Sequence, residues 1–104
     1  MIRLNDMAPR ELIPGFFGKF IHGEKSSLVF WDIREGSVMP EHFHEHEQIT
    51  HILEGELEMV IGGRKYTFTS GTVHVIPSNT PHSAVAVKNS KVIDSFSPAR
   101  SEYR

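Results

Sequence analysis

Cysteine is absent from the 104 residues, which excludes disulfides, thiolate metal sites and cysteine nucleophiles. An excess of basic residues is absent too. Eleven Lys+Arg stand against thirteen Asp+Glu, a formal net charge of -2 at pH 7. A sequence-independent nucleic-acid binder needs a positive footprint, so nucleic acid is excluded as a partner. No purely apolar run exceeds four residues, 28–31 being one such run. A membrane span needs roughly 18, so no membrane partner is expected. Residues 1–6 lack the apolar stretch of a signal peptide, and the expected location is cytoplasmic. Only 38% of the chain is apolar, a thin core that self-association would help to complete.

Helical periodicity is also missing. What runs along the chain instead is a series of short segments, β-branched and aromatic, with alternating polarity and turn residues between them. Strands are expected at 16–22, 28–34, 49–53, 56–61, 65–69, 72–76, 82–87 and 91–96. Gly62-Gly63 reads as a two-residue hairpin turn, since both positions tolerate positive φ. Pro9, Pro14 and Gly15 mark residues 1–15 as an irregular N-terminal arm, leaving 16–104 as one domain. Short strands at this spacing point to an all-β sandwich or small barrel, and closure hides the strand edges.

Histidine is the residue in surplus. Of seven, four fall between positions 42 and 51. On an extended strand, i and i+2 share a face, so His42 and His44 direct two imidazoles the same way. Gln48 can add an amide oxygen, and a barrel can bring His82 opposite. Three imidazoles and one oxygen leave a divalent ion with open positions, as a catalytic site requires. Imidazole suits Zn, Ni, Cu or Fe, and the amide oxygen also admits Mn. The alternative is a solvated loop: residues 35–58 hold seven acids and no Lys or Arg, and attract cations without a defined site.

Gly36, His42, His44, Gln48 and Gly55 stand at the intervals of the first cupin motif, with Gln48 in the place of its acid. Gly71, Pro77 and His82 stand at those of the second. There Asn79 replaces the usual glycine and Ala86 the terminal asparagine. From about residue 28 onward the chain resembles the cupin superfamily. The resemblance implies a jelly-roll β-barrel of RmlC-like type, usually a homodimer, with one divalent metal ion held by His42, His44, Gln48 and His82.

The tail 92–103, the run His46-Glu47-Gln48 and the segment 53–56 resemble more narrowly the KdgF-type cupins of pectin and alginate breakdown. Those proteins promote conversion of 4,5-unsaturated uronates to the linear keto form. This resemblance implies Asp94 as the catalytic carboxylate, with Phe96 and Arg100 contacting a small carboxylated sugar. Alternation puts Val92, Asp94 and Phe96 on one strand face. Asp94 then serves as acid or base, Arg100 as a planar fork for a carboxylate, and Phe96 as an apolar platform. The structural alternatives are hydrogen bonding for Asp94, core packing for Phe96 and a surface or dimer ion pair for Arg100. A neutral Gln48 leaves the full +2 charge of the metal in place, which favours anionic substrates. Two other functions stay open: a three-histidine metal-dependent dioxygenase and a non-catalytic metabolite-binding cupin. Outside the motif, His46 is expected at the rim, His51 on a strand facing away from the lumen, and His74 as a solvent-facing or hydrogen-bonded strand residue. His22 is expected in an exposed turn, and Trp31 in the core or at a dimer interface.

Overall fold

Alternation along Ser27–Ile33 sets the plan of the molecule. Ser27, Val29, Trp31 and Ile33 are buried, while Leu28 and Asp32 between them face out. The computed structural model describes residues 1–104, and this pattern recurs in most of its ten strands. They are β1 (Arg10–Ile13), β2 (Phe16–His22), β3 (Ser27–Ile33), β4 (Val38–His42) and β5 (Glu47–Glu54), then β6 (Glu56–Ile61), β7 (Arg64–Thr69), β8 (Val73–Ile76), β9 (His82–Ala86) and β10 (Ser90–Ser97). Two antiparallel sheets result, in the orders β1-β2-β3-β10-β5-β8 and β4-β9-β6-β7. No helix is long and apolar enough to cross a membrane. The all-β jelly roll expected from the sequence is present.

The inner faces of the sheets meet in one core. Val29, Ile52 and Ile76 are fully buried in it, beside Leu57, Met59, Phe68 and Val92. Each such side chain stabilises the fold by roughly 1.5–3 kcal/mol relative to exposure. One end is aromatic: Trp31 meets Phe16, Phe20 and Tyr103 edge-to-face at 5.9, 5.5 and 6.4 Å. Trp31 is thus a core residue, not part of an outer surface.

Two strands form where none is expected. Within the lead-in, Pro9 and Pro14 bracket β1, which pairs with β2 through Arg10↔Gly18 and Glu11↔Phe17. Prolines just outside so short a strand cost it no ladder hydrogen bond. Its Arg10 Nη2 donates to Tyr103 O at 2.7 Å, tying the first strand to the last turn. The other is β4, whose sequence Val38-Met39-Pro40-Glu41-His42 has little apolar alternation. It lies at the edge of the smaller sheet, where Pro40 is tolerated, and its register with β9 slips between Met39 and His42.

The departure from the cupin motif at Asn79 fits the backbone. Asn79 takes φ 59°, the left-handed region a glycine would fill and the one asparagine tolerates best after it. Its N–H donates to His44 O at 2.8 Å, which docks the 77–80 turn against the histidine cluster. Gly55 is needed as glycine. It has φ 96°, and a Cβ there would run into Ser90 Oγ and Asn89 O.

Candidate metal centre and its pocket

Register brings the first two histidines together. His42 ends β4, His82 opens β9, and the two are direct partners with ring centroids 4.3 Å apart. His44 arrives differently from the expectation. The strand stops at His42, and His44 lies in the turn that follows, its ring 5.1 Å from that of His82. One nitrogen from each of the three lies within 4.8 Å of the others.

The outer nitrogens fix the rings. Nδ1 of His42 donates to Pro40 O at 3.0 Å, that of His44 to His46 O at 3.0 Å, and that of His82 to Thr80 O at 2.8 Å. A carbonyl only accepts, so each Nδ1 carries the proton and each Nε2 presents a lone pair inward. Gln48, near the start of β5, completes the set with Oε1 3.2 Å from His44 Nε2. No proton lies between these two acceptors. His82 Nε2 is likewise buried with no partner. Converging lone pairs without a donor are what a divalent cation satisfies, and the donor set fits one.

The adjacent pocket is lined by His42, His82, Gln48, Asp94, Phe96 and Arg100, among others. Asp94 lies on β10 opposite Thr50 of β5 and faces the lumen. Thr50 Oγ1 donates to its Oδ1 at 2.8 Å and Trp31 Nε1 to its Oδ2 at 3.0 Å. Phe96 is buried two residues on, its ring 5.6 Å from that of His44. Arg100 follows the last strand. Its guanidinium lies 4.9 Å over Phe96 and 4.2 Å over Tyr103, and its Nε donates to Glu102 Oε1 at 2.7 Å. Residues 29–94 match the model of the cupin domain.

The chain belongs to the cupin family. Over 92 residues it is 32% identical to the pectin degradation protein KdgF of Dickeya dadantii, covering 78% of this chain and 84% of that one. It is 32% identical over 100 residues to the H2HPP isomerase of Bacillus subtilis, with 93% of this chain and 42% of that one covered. The structure of KdgF from Halomonas sp. superposes with a TM-score of 0.92 at 31% identity, over 98% of this chain and 96% of that one.

Electrostatics inside this cupin favour neutral histidines. Burial, then the Arg100 charge and the neighbouring histidines, lower the His44 pKa from 6.5 to about 4. His82 is lowered for the same first reason, against its Thr80 hydrogen bond. Burial raises the Asp94 carboxyl above its usual value, opposed by the donors Thr50 and Trp31. Burial also pushes Tyr103 up to about 12.

Several histidines lie elsewhere than expected. His46 is buried instead of at the rim, because its turn folds inward beneath the C-terminal segment. Its carbonyl holds His44, and its ring packs 6.4 Å from Phe96 and 4.0 Å from the Glu102 carboxylate. His22 is no exposed turn residue. It ends β2, shares a hydrogen bond with Ser27 Oγ at 2.8 Å and contacts Tyr103 O at 3.3 Å. His74 sits among Tyr66 and Phe68, 4.7 and 5.3 Å away, at the seam between β7 and β8. His51 is half-buried on β5, on the face away from the lumen as expected. Thr50 went unnoticed in the sequence. The available signal was its place two residues after Gln48, which puts both on one strand face.

Proposed function

We propose that this cupin binds one divalent metal ion through His42, His44, Gln48 and His82 and promotes ketonisation of small unsaturated uronates. The observation that carries the reading is the pocket itself. A buried carboxylate, Asp94, and a guanidinium, Arg100, line one pocket with His42, Gln48 and His82, and His44 Nε2 lies 3.2 Å from the Gln48 Oε1 of that set. The KdgF relatives support the substrate class, and the H2HPP isomerase supports isomerisation as the reaction class.

A bound divalent ion supplies Lewis acidity and a positive charge beside the substrate oxygens. The chain's own residues do the rest. Arg100, whose Nη atoms have no protein acceptor, takes the uronate carboxylate in its planar fork. Phe96 offers an apolar ring beneath the guanidinium. Asp94 accepts the proton of the ring hydroxyl as the ring C–O bond opens, and a proton is returned to the enol carbon to leave a ketone. Loss and gain of one proton balance, so the isomerisation needs no oxidant. Burial holds the Asp94 carboxyl nearer neutrality than a surface aspartate, which suits a group that must both take and give.

The expected assembly is a homodimer. On the outer face of the larger sheet, Leu28, Ile49, Leu53, Val73 and Val75 are exposed, and a second copy would cover them; sedimentation equilibrium tests this. For the reaction itself, proton NMR of unsaturated galacturonate incubated with the metal-loaded protein tests the product. The linear keto form must accumulate faster than in buffer. An unchanged time course would remove the uronate from the proposal.

A further inference from the structure

Gln48 is the one metal-facing side chain here that can face the wrong way. Its amide ends in an oxygen that binds a cation and a nitrogen that repels one, and the two differ only by rotation about the last torsion. Something must decide between them. The histidines do not, since His44 Nε2 presents a lone pair and would accept readily from the amide nitrogen.

We propose that Thr50 is a positioning residue that sets the orientation of the Gln48 amide and so the strength of metal binding. Hydrogen-bond bookkeeping carries the argument. Gln48 Nε2 lies 2.9 Å from Thr50 Oγ1, and Thr50 Oγ1 lies 2.8 Å from Asp94 Oδ1. In the ionised form that accepts the substrate's proton, the Asp94 carboxylate has no hydrogen to offer, so the single hydroxyl hydrogen of Thr50 points at Asp94. The hydroxyl oxygen can then only accept from Gln48. That turns the NH2 group toward Thr50 and leaves Oε1 facing His44 Nε2. Trp31 secures the far end by donating to Asp94 Oδ2, which leaves Oδ1 for the hydroxyl. All five residues are buried.

The strand register makes the chain possible. Gln48 and Thr50 alternate onto the lumen face of β5, and Thr50 stands directly opposite Asp94 on β10. The inference rests on the proposed metal centre, with Gln48 as a ligand. It adds a direction of influence from Trp31 through Asp94 and Thr50 to the metal-facing oxygen.

The test is a double-mutant cycle read as affinity for Co2+, titrated calorimetrically into the metal-stripped full chain. Thr50→Val keeps the shape and removes the hydroxyl, and affinity should fall by about tenfold or more. Thr50→Ser keeps the hydroxyl and should bind within about threefold of the unsubstituted protein. In a Gln48→Glu background both ends of the side chain are oxygens, so Thr50→Val should cost less than about threefold. Circular dichroism establishes folding, and Thr50→Ala enters the cycle if the valine variant does not fold. Unchanged affinity in Thr50→Val, equal losses in both backgrounds, or a tenfold loss in Thr50→Ser would each overturn the assignment. Failure of the unsubstituted protein to bind Co2+ would instead remove the metal centre, and this inference with it.

Discussion

Trp31 Nε1 donates a 3.0 Å hydrogen bond to Asp94 Oδ2, joining residues 63 positions apart on neighbouring strands β3 and β10. The only tryptophan of the chain thereby packs the aromatic end of the core and holds the carboxylate of the pocket at once. Trp31→Phe separates the two roles, since a ring remains but the donor is lost. The buried oxygen left with one donor fewer should cost about 1–3 kcal/mol, read as a lower urea midpoint. An unchanged midpoint would show that the bond contributes nothing net.

The histidine cluster predicts a loss of metal without a loss of fold. His44→Ala should retain the β-sheet circular dichroism of the parent and lose at least about 90% of its metal by elemental analysis, because one of three imidazoles is gone. Full metal content in that variant would remove His44 from the ligand set.

Acid should expose the same histidines in the metal-stripped protein. His44 is depressed from 6.5 to about 4 in the fold, so between those values the unfolded chain takes up a proton that the folded chain refuses. The unfolded state binds more protons there, and stability therefore rises with pH across that window. Asp94, raised by burial, acts in the opposite sense, its contribution falling as pH climbs above 3.8. The comparison that isolates His44 is the difference in melting temperature between the parent and His44→Gln, both stripped. That difference should shift in the parent's favour from pH 4 to 6.5, and a flat difference would contradict the burial argument.

Arg100 gives a prediction about selectivity. Arg100→Ala should weaken binding of carboxylated sugars by about tenfold or more, as loss of a charge-assisted pair to a buried guanidinium implies, and neutral sugars far less. Calorimetric titration of both classes decides it. Equal weakening would assign Arg100 to holding the C-terminal turn through Glu102 alone.

Much of this was legible in the sequence because strand alternation is a local signal. The face shared by Val92, Asp94 and Phe96 follows from spacing, and all three are buried. Gln48 and His82 could be placed at strand starts, whereas His42 and His44 were expected side by side on one strand and are split between the end of β4 and the turn after it. What escaped was set by tertiary contact. β1 is held by pairing with β2 and by Arg10 on Tyr103, neither visible between two prolines. His46 is buried because the C-terminal turn closes over it, which no pattern near position 46 encodes. Thr50 looks like any strand threonine until the register sets Asp94 opposite it.

The most direct test of the central claim follows the ultraviolet enol absorbance of unsaturated galacturonate freshly released by a lyase. Three samples are compared: metal-loaded protein, metal-stripped protein and buffer alone. The substrate rearranges unaided, so the buffer rate is the baseline. The account predicts acceleration by the loaded protein, loss of that acceleration on stripping and its return on adding the metal back. Metal bound at the three histidines with no acceleration over buffer would contradict it.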